Sequence, residues 1–266
     1  MKQFFKDEPR LLAHRGMPQE YPENTMLSFE KAVEFGVDVI ETDTHFTKDQ
    51  KFVIIHDDDL SRVSNGAGKV SDYTLDELKE FDAAYKFTPD GGKTFPFRGK
   101  GITFTSVNEI LTQFPDQKFN IDLKDKKPEQ VKRWKDLIVK HDAQGRVLTA
   151  SQYRANLRLI REYLPEMATC FSAGEVFSFY LRNKFGGYNR LEKKGYPGDA
   201  LQIPVKMGPL RIVSEKSIEN AHKLGYRMHV WTINDATTMK NLFQKGVDAI
   251  FTDKPRILKK VINELF

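Results

Sequence analysis

VDVIETD, residues 37–43, is an apolar run that ends in two acids, Glu41 and Asp43. Because side chains alternate along a strand, both carboxylates point to the same face. Eight further short apolar runs, rich in Val, Ile or Phe, lie at 10–14, 51–56, 118–124, 146–151, 167–172, 200–205, 227–233 and 247–253. Such runs are typical of strands that are buried on both faces of a parallel sheet.

Segments with helical periodicity separate many of these runs, and two of them end at Gly36 and Gly225, where a helix C-cap is expected. This alternation predicts a parallel α/β fold. Polar residues stand at the ends of several different strands: His14, Glu41 and Asp43, His56, Asp122 and Lys124, and Trp231 and Asn234. A closed barrel brings all strand ends to one mouth, so we predict a TIM (β/α)8 barrel.

Two features do not fit a regular barrel. There are nine candidate strands instead of eight, and the link from Asp43 to Lys51 is shorter than the dozen or so residues that a parallel crossover needs. Either the barrel is irregular there or one run is not a barrel strand. The Gly- and Pro-rich stretch at about 57–116 predicts an insertion over the mouth, after the third strand, within a single domain over 1–266.

That insertion contains two capping-box patterns, Thr74-x-x-Glu77 and Ser106-x-x-Glu109, each of which predicts the start of a short helix.

Composition narrows the class of protein. The 266 residues suffice for one barrel, and 42 basic against 37 acidic residues give a net charge of +5, a mild bias towards anionic substrates or membrane surfaces. We find no RNP motif, zinc-finger spacing or basic repeat, so we expect no nucleic-acid partner. We also see no secretion signal or membrane span, and one cysteine, Cys170, fits a reducing compartment. We therefore expect a cytoplasmic protein.

Two histidines are candidates for acid–base catalysis. A phosphodiester hydrolase needs a base for the attacking hydroxyl, an acid for the leaving alkoxide and cations for the phosphate oxygens. His14 and His56 each end an apolar strand, and Arg15 can bind a phosphate with two hydrogen bonds. A structural role is the competing interpretation for any single histidine. His45, His141, His222 and His229 are interpreted as surface or packing residues.

The acids Glu41, Asp43 and Asp122 lie on apolar strands, where ionised carboxylates are costly unless they are paired or bound to a metal. Three carboxylates without histidine or cysteine favour a hard cation, Mg²⁺ or Ca²⁺. The alternative is that Lys124 and Arg15 neutralise them as ordinary ion pairs.

The motifs also occur in a familiar order. They are HRG (14–16), PENT (22–25), ExD (41–43), HD (56–57), NIDLK (120–124), VWTIN (230–234) and GVDAIFTDKP (246–255). As an ordered set over nearly the whole chain they strongly resemble the glycerophosphodiester phosphodiesterase family. The resemblance implies a TIM barrel with a small insertion after the third strand. It also implies hydrolysis of deacylated phospholipids to sn-glycerol 3-phosphate and an alcohol, with a divalent cation.

Carried over by motif, the resemblance implies that His14 and His56 are the general acid and base, without telling which is which. Arg15 and Lys124 would bind the phosphate, and Trp231 would wall the glycerol pocket. By analogy, the 2-hydroxyl of the substrate glycerol attacks phosphorus, the alcohol leaves, and water then opens the cyclic phosphate.

The same resemblance implies that Glu41 and Asp43 bind the metal together with the fourth-strand acid. That acid is Asp122 here, where family members usually have the longer Glu. Glu23 and Asn24 are implied to be mouth residues that contact or orient the substrate-binding groups.

Two other functions remain open on the sequence. A lysophospholipase D-like enzyme would act on lysophospholipids, and the aromatic and basic stretch 174–198 could contact an acyl chain or a membrane surface. A packed core segment is the simpler interpretation of that stretch. A barrel that binds phosphate esters without cleaving them would require loss of a histidine or of the acids, and all of them are present.

Overall fold

The computed structural model describes residues 1–185, 195–207 and 210–266. The strands are β1 (Leu11–His14), β2 (Val39–Phe46), β3 (Phe52–Ile54), β4 (Lys118–Leu123), β5 (Val147–Ala150), β6 (Ala168–Thr169), β7 (Ala200–Pro204), β8 (Lys206–Met207), β9 (Leu210–Arg211), β10 (Arg227–Trp231) and β11 (Ala249–Thr252). The α-helices are α1 (Met26–Phe35), α2 (Leu75–Leu78), α3 (Val107–Gln113), α4 (Val131–Lys140), α5 (Arg154–Tyr163), α6 (Ala173–Phe185), α7 (Glu215–Lys223), α8 (Ala236–Gln244) and α9 (Pro255–Leu265).

Eight strands form a parallel ring in the order β6-β5-β4-β2-β1-β11-β10-β7. A single parallel bridge between Cys170 and Ala200 completes the ring between β6 and β7. Helices lie between successive strands, and the buried apolar residues of strands and helices form one large core. The predicted TIM barrel is confirmed.

The apolar run at 51–56, which contains β3, explains both the ninth candidate strand and the short link after Asp43. β3 pairs antiparallel with β2, with Thr44 opposite Ile54 and Phe46 opposite Phe52. A hairpin needs only a short turn, so the brief link after Asp43 is no obstacle. The run is therefore a strand outside the parallel ring, which leaves eight barrel strands.

The chain between β3 and α3 makes an excursion and returns beside β3, where the Ile54 amide donates to the Thr105 carbonyl. Its apolar residues form a separate small cluster that includes Leu60, Leu78 and Phe104. Both predicted capping boxes are present, at α2 and at α3. The single domain over 1–266 with an insertion at about 57–116 stays a prediction.

A sharp turn after β1 carries the chain across the mouth of the barrel. Arg15 and Gly16 both have positive φ, at 57° and 90°. A Cβ on Gly16 would lie 2.3 Å from Ser28 Oγ, so a larger residue would clash with α1. The glycine thus serves close packing of this turn on α1, and the Ser28 hydroxyl accepts a hydrogen bond from the Met17 amide.

Candidate active site

Strand register brings the predicted acids and the first histidine to one level of the barrel. His14 on β1 stands beside Glu41 on β2, and Asp43 on β2 stands beside Asp122 on β4. Glu41 and Asp43 are buried. These side chains line a cavity of about 590 Å³ together with His56, Arg15, Lys124 and Trp231. The structure therefore brings together eight of the nine residues proposed from the sequence.

Each candidate catalytic histidine is bound by an aspartate at the same ring atom. His14 Nδ1 lies 2.6 Å from Asp253 Oδ1, and His56 Nδ1 lies 2.6 Å from Asp57 Oδ1. Burial opposes ionisation of Asp253 and Asp57, but their hydrogen-bond partners outweigh it and hold both carboxyl pKa values below the usual range. An ionised carboxylate can only accept, so each Nδ1 donates and each Nε2 is left for proton transfer.

His14 is also affected by the neighbouring acid. Its Nε2 lies 3.9 Å from Glu41 Oε2. Burial by itself would lower the pKa of His14, but the Glu41 charge and the hydrogen bond to Asp253 outweigh burial and raise that pKa above its usual value. Asn234 holds Asp253 in turn, because its Nδ2 donates to Asp253 Oδ2 at 2.7 Å and its Oδ1 accepts from the Asp253 amide at 2.8 Å.

Lys124 lies between two of the acids. Its Nζ is 2.8 Å from Asp43 Oδ1 and 2.6 Å from Asp122 Oδ2. Burial opposes the charge of Asp43, yet Lys124 and Arg15 keep the pKa of Asp43 below its usual value. For Asp122 burial dominates and raises the pKa. Burial and the Asp43 charge raise the pKa of Glu41 further, to about 7. The ion pairs considered as an alternative on the sequence are thus present.

Arg15 binds acids on both sides of the mouth. Its Nη1 donates to Glu23 Oε1 at 2.9 Å, and its backbone amide donates to Glu41 Oε2 at 3.2 Å. Its Nε lies 3.4 Å from Asp43 Oδ2, which is an ion-pair distance without hydrogen-bond geometry. The buried Nε is therefore a donor without a hydrogen bond among the described residues.

Glu23 binds a residue of the cavity wall, Arg15. It does not line the cavity as the structure describes it; its carboxylate accepts from the guanidinium groups of Arg15 and Arg62. Arg62 also donates through Nε to Asp57, the partner of His56. Arg62 lies in the excursion after β3. It therefore joins Glu23, which binds Arg15, to Asp57, which binds His56.

The sequence did not assign roles to three residues of this network. Asp57 and Asp253 both lie in the quoted motifs. Asp57 directly follows a candidate histidine, and Asp253 ends the last strand run, so either position could have indicated a site residue. Arg62 lies in the irregular stretch and had no such signal. Asn24 behaves as implied for a mouth residue, because its Nδ2 donates to Asp43 Oδ2 at 3.3 Å.

Part of the cavity wall is apolar. This part includes Phe171, Val176, Phe177, Tyr180, Ile203 and Ile212. Three of these belong to α6, in the stretch 174–198 that the sequence marked for lipid contact; residues 186–194 of that stretch lie outside the described residues. Trp231 stands at the rim with 44% of its surface exposed, and Phe177 is 54% exposed.

No described helix is both long enough and apolar enough to cross a membrane. Within residues 1–185, 195–207 and 210–266, no three His, Cys, Asp or Glu side chains form a group that could hold a metal ion.

Comparisons with known proteins identify the family of this chain. The model of the glycerophosphoryl diester phosphodiesterase family matches residues 14–257. A glycerophosphodiester phosphodiesterase of Bacillus altitudinis is 31% identical over 96% of this chain and 99% of its own length.

Two solved structures share the architecture. An Oleispira antarctica phosphodiesterase, determined in complex with the product sn-glycerol-3-phosphate, has a TM-score of 0.75 at 25% identity and covers 96% of this chain and 97% of its own. A Silicibacter pomeroyi protein, provisionally named a glycerophosphoryl diester phosphodiesterase, has a TM-score of 0.81 at 20% identity, over 100% of this chain and 98% of its own. With a family model that spans nearly the whole chain, this protein belongs to the glycerophosphoryl diester phosphodiesterase family of phosphoric diester hydrolases.

Proposed function

We propose that the protein hydrolyses glycerophosphodiesters to sn-glycerol 3-phosphate and an alcohol, with His14 and His56 as the acid–base pair. The observation that carries this proposal is the pair of His–Asp contacts at one cavity, where both Nε2 atoms are left for proton transfer. The product found in the Oleispira antarctica relative supports the choice of substrate.

The two histidines are assigned different roles. The Glu41 charge and the hydrogen bond to Asp253 raise the pKa of His14, so at neutral pH more of its imidazole carries the proton that a general acid must give. His14 is therefore assigned as the acid and His56 as the base. In the first stage the substrate 2-hydroxyl attacks phosphorus, its proton passes to His56 Nε2, and the alkoxide leaves with the proton of His14. In the second stage water opens the cyclic phosphate; its proton passes to His14, and His56 returns a proton to the 2-oxygen.

The phosphate is held by the cations of the mouth. Arg15 has a buried Nε that lacks a hydrogen-bond acceptor among the described residues, and a phosphate oxygen would supply one. The Nζ of Lys124 donates to the Asp43 and Asp122 carboxylates and can turn one of its three hydrogens towards the same phosphate.

The site also fits a divalent cation by its chemistry. Glu41, Asp43 and Asp122 provide only oxygen ligands, which Mg²⁺ and Ca²⁺ prefer. Burial and the Asp43 charge raise the pKa of Glu41, and a bound cation would offset both effects. We propose these three residues as the metal ligands. They do not form a ready-made metal site among the described residues, and Lys124 binds Asp43 and Asp122, so a cation there would replace these contacts of Lys124. A cation there would neutralise the non-bridging phosphate oxygens.

One assay tests the hydrolytic proposal. Purified protein is incubated with glycerophosphocholine in Mg²⁺, Ca²⁺ or chelator, and release of sn-glycerol 3-phosphate is measured. We expect cation-dependent turnover that His14→Ala and His56→Ala each nearly abolish while they keep the wild-type circular dichroism spectrum. Undiminished turnover in either variant would contradict the assigned roles. Equal turnover of an analogue without the 2-hydroxyl would exclude the cyclic intermediate.

The apolar part of the cavity wall favours a second candidate function, a lysophospholipase D activity. The α6 wall offers an apolar surface on which one acyl chain could lie. The outer part of α6 also carries exposed Leu181 and Phe185 beside Arg182 and Lys184, a combination that suits contact with an anionic membrane surface.

Comparing lysophosphatidylcholine with glycerophosphocholine separates the two activities. If the acyl chain lies on α6, Phe177→Ala should raise the KM for lysophosphatidylcholine and leave the KM for glycerophosphocholine unchanged. Leu181→Ser, on the outer part of the same helix, is the matched variant, and it should weaken only the binding to anionic vesicles. No turnover of lysophosphatidylcholine by the wild type would reject this second candidate.

A further inference from the structure

His45 occupies the next inward-facing position of β2 after Glu41 and Asp43, because alternate residues of a strand share a face. No partner for His45 is evident in the sequence, which suggests a surface or packing role. In the structure its side chain is buried, with 7% of the residue exposed. A buried imidazole needs hydrogen-bond partners, and His45 has one at each ring nitrogen.

Both partners of His45 are acceptors. Its Nδ1 lies 3.0 Å from Asp125 Oδ1, and its Nε2 lies 3.0 Å from the backbone carbonyl oxygen of His56. A carbonyl oxygen cannot donate, so the second contact requires that Nε2 carries the hydrogen. His45 is therefore a donor to the backbone of His56.

Asp125 is itself firmly anchored. Its Oδ2 accepts from the Phe46 amide at 2.7 Å, and its carbonyl accepts from Asn156 Nδ2 at 2.8 Å. The Phe46 amide of β2 thus holds the carboxylate that orients the ring of His45, and α5 holds the backbone of the same residue. The contact with Asp125 orients the imidazole, and the oriented imidazole presents Nε2 to His56.

His56 needs such support because it lies two residues beyond the end of β3. Its ring is set by Asp57 at Nδ1, and Asp57 belongs to the same loop, where Arg62 binds it. The bond from His45 acts at His56 itself and, beside the bond from the Ile55 amide to the Asp43 carbonyl, ties the loop to the barrel strand that carries Glu41 and Asp43. A catalytic base must stay within hydrogen-bond reach of the hydroxyl that it deprotonates.

We propose that His45 is a positioning residue for the reaction: its Nε2–H holds the His56 carbonyl and thereby fixes the His56 imidazole relative to the acids of β2. This inference rests on the proposed role of His56 as a catalytic residue.

Two substitutions separate the contacts of His45. The amide nitrogen of Gln falls near the place of Nε2, so His45→Gln keeps a donor to the His56 carbonyl and loses Asp125. The amide nitrogen of Asn falls near the place of Nδ1, so His45→Asn keeps the donor to Asp125 and loses His56. Each variant loses one hydrogen bond of a buried residue. A merely structural role would make His45→Gln, which loses the carboxylate partner, at least as damaging as His45→Asn, which loses the carbonyl partner.

The measurements are kcat and KM for glycerophosphocholine and the midpoint of thermal unfolding. A displacement of about 1 Å in a catalytic group can cost on the order of 100-fold in rate, so we expect kcat of His45→Asn to fall by about 10- to 100-fold with an unchanged KM. His45→Gln should recover most of the wild-type kcat at a similar unfolding midpoint. His222→Asn, which removes the contact of His222 Nε2 on α7 with Asp248, is the control and should match the wild-type kcat.

Equal kcat losses in His45→Gln and His45→Asn would overturn the inference, and so would wild-type kcat in His45→Asn. His56→Ala, measured beside them, separates this failure from that of the proposed function. If His56→Ala is active, the role of His56 and the inference fall together. If His56→Ala is inactive and His45→Asn is unaffected, only the inference falls.

Discussion

Substitution of Lys124 by Met should destabilise the protein strongly, because this lysine lies within 3 Å of two carboxylates that line the cavity, Asp43 and Asp122. Asp43 and Asp122 are 2% and 24% exposed as side chains, and Lys124 is 23% exposed. At these separations and an effective dielectric constant near 20, each pair has a Coulomb energy of about 6 kcal/mol. Desolvation offsets much of that energy.

Removing one partner of a buried ion pair typically costs about 3–5 kcal/mol, since a charge is left without compensation. Because Lys124 keeps some contact with water, we expect the free energy of unfolding to fall by about 3 kcal/mol, the lower end of that range. The assay is urea unfolding at pH 7 in chelator, followed by circular dichroism. Lys51→Met is the matched control. Lys51 also pairs with an aspartate, Asp49, at 3.0 Å but is half exposed, so its loss should cost less than about 1 kcal/mol.

The stabilisation by Lys124 should weaken at acidic pH. Lys124 helps to hold the pKa of Asp43 below its usual value, so the stabilisation is complete above the usual aspartate pKa of about 4 and is lost as the pH falls through the lowered value. The gap between wild type and Lys124→Met should therefore shrink at acidic pH. Equal destabilisation by Lys124→Met and Lys51→Met at pH 7 would refute this reasoning.

Three further outcomes are expected. Asp253→Asn should lower kcat by at least about 100-fold with little change in KM, because a neutral amide no longer fixes the His14 tautomer; a wild-type kcat would contradict this. Arg62→Met should lower kcat/KM by about tenfold through the two carboxylates that it joins, and unchanged kinetics would show that the link is dispensable. Burial lowers the pKa of His229 in the folded protein to about 4. As the pH falls below the usual histidine pKa of about 6.5, the unfolded chain therefore binds a proton at His229 before the folded protein does. The free energy of unfolding should fall by up to about 3 kcal/mol between about pH 6.5 and pH 4. His229→Phe should flatten that part of the stability profile in urea unfolding, and an unchanged slope would contradict burial as the cause.

Much of the site could be predicted because its residues lie in short motifs at strand ends. Two residues apart on one strand, Glu41 and Asp43 had to share a face, and the register of β2 with β4 then placed Asp122 beside Asp43. The partners of the histidines were harder to predict. Asp253 is 239 residues from His14, and only the pairing of the first strand with the last makes them neighbours.

His45 shows the same limit. Its spacing from Asp43 predicts an inward-facing side chain, but nothing local to it indicates that Asp125, 80 residues later, would set the ring against the His56 carbonyl. The residue was therefore interpreted as packing, and its contacts became visible only with the loops in place.

By itself, the sequence determined the barrel, the family and the acids that share a face, because strand and helix periods and the order of motifs are properties of neighbouring residues. Only the tertiary structure decided that β3 leaves the parallel ring, that Lys124 lies between Asp43 and Asp122, and that Arg62 joins two carboxylates of the mouth. These facts depend on how the barrel closes and where its loops return. Closure brings together side chains that are far apart in the chain, and no local pattern carries that information.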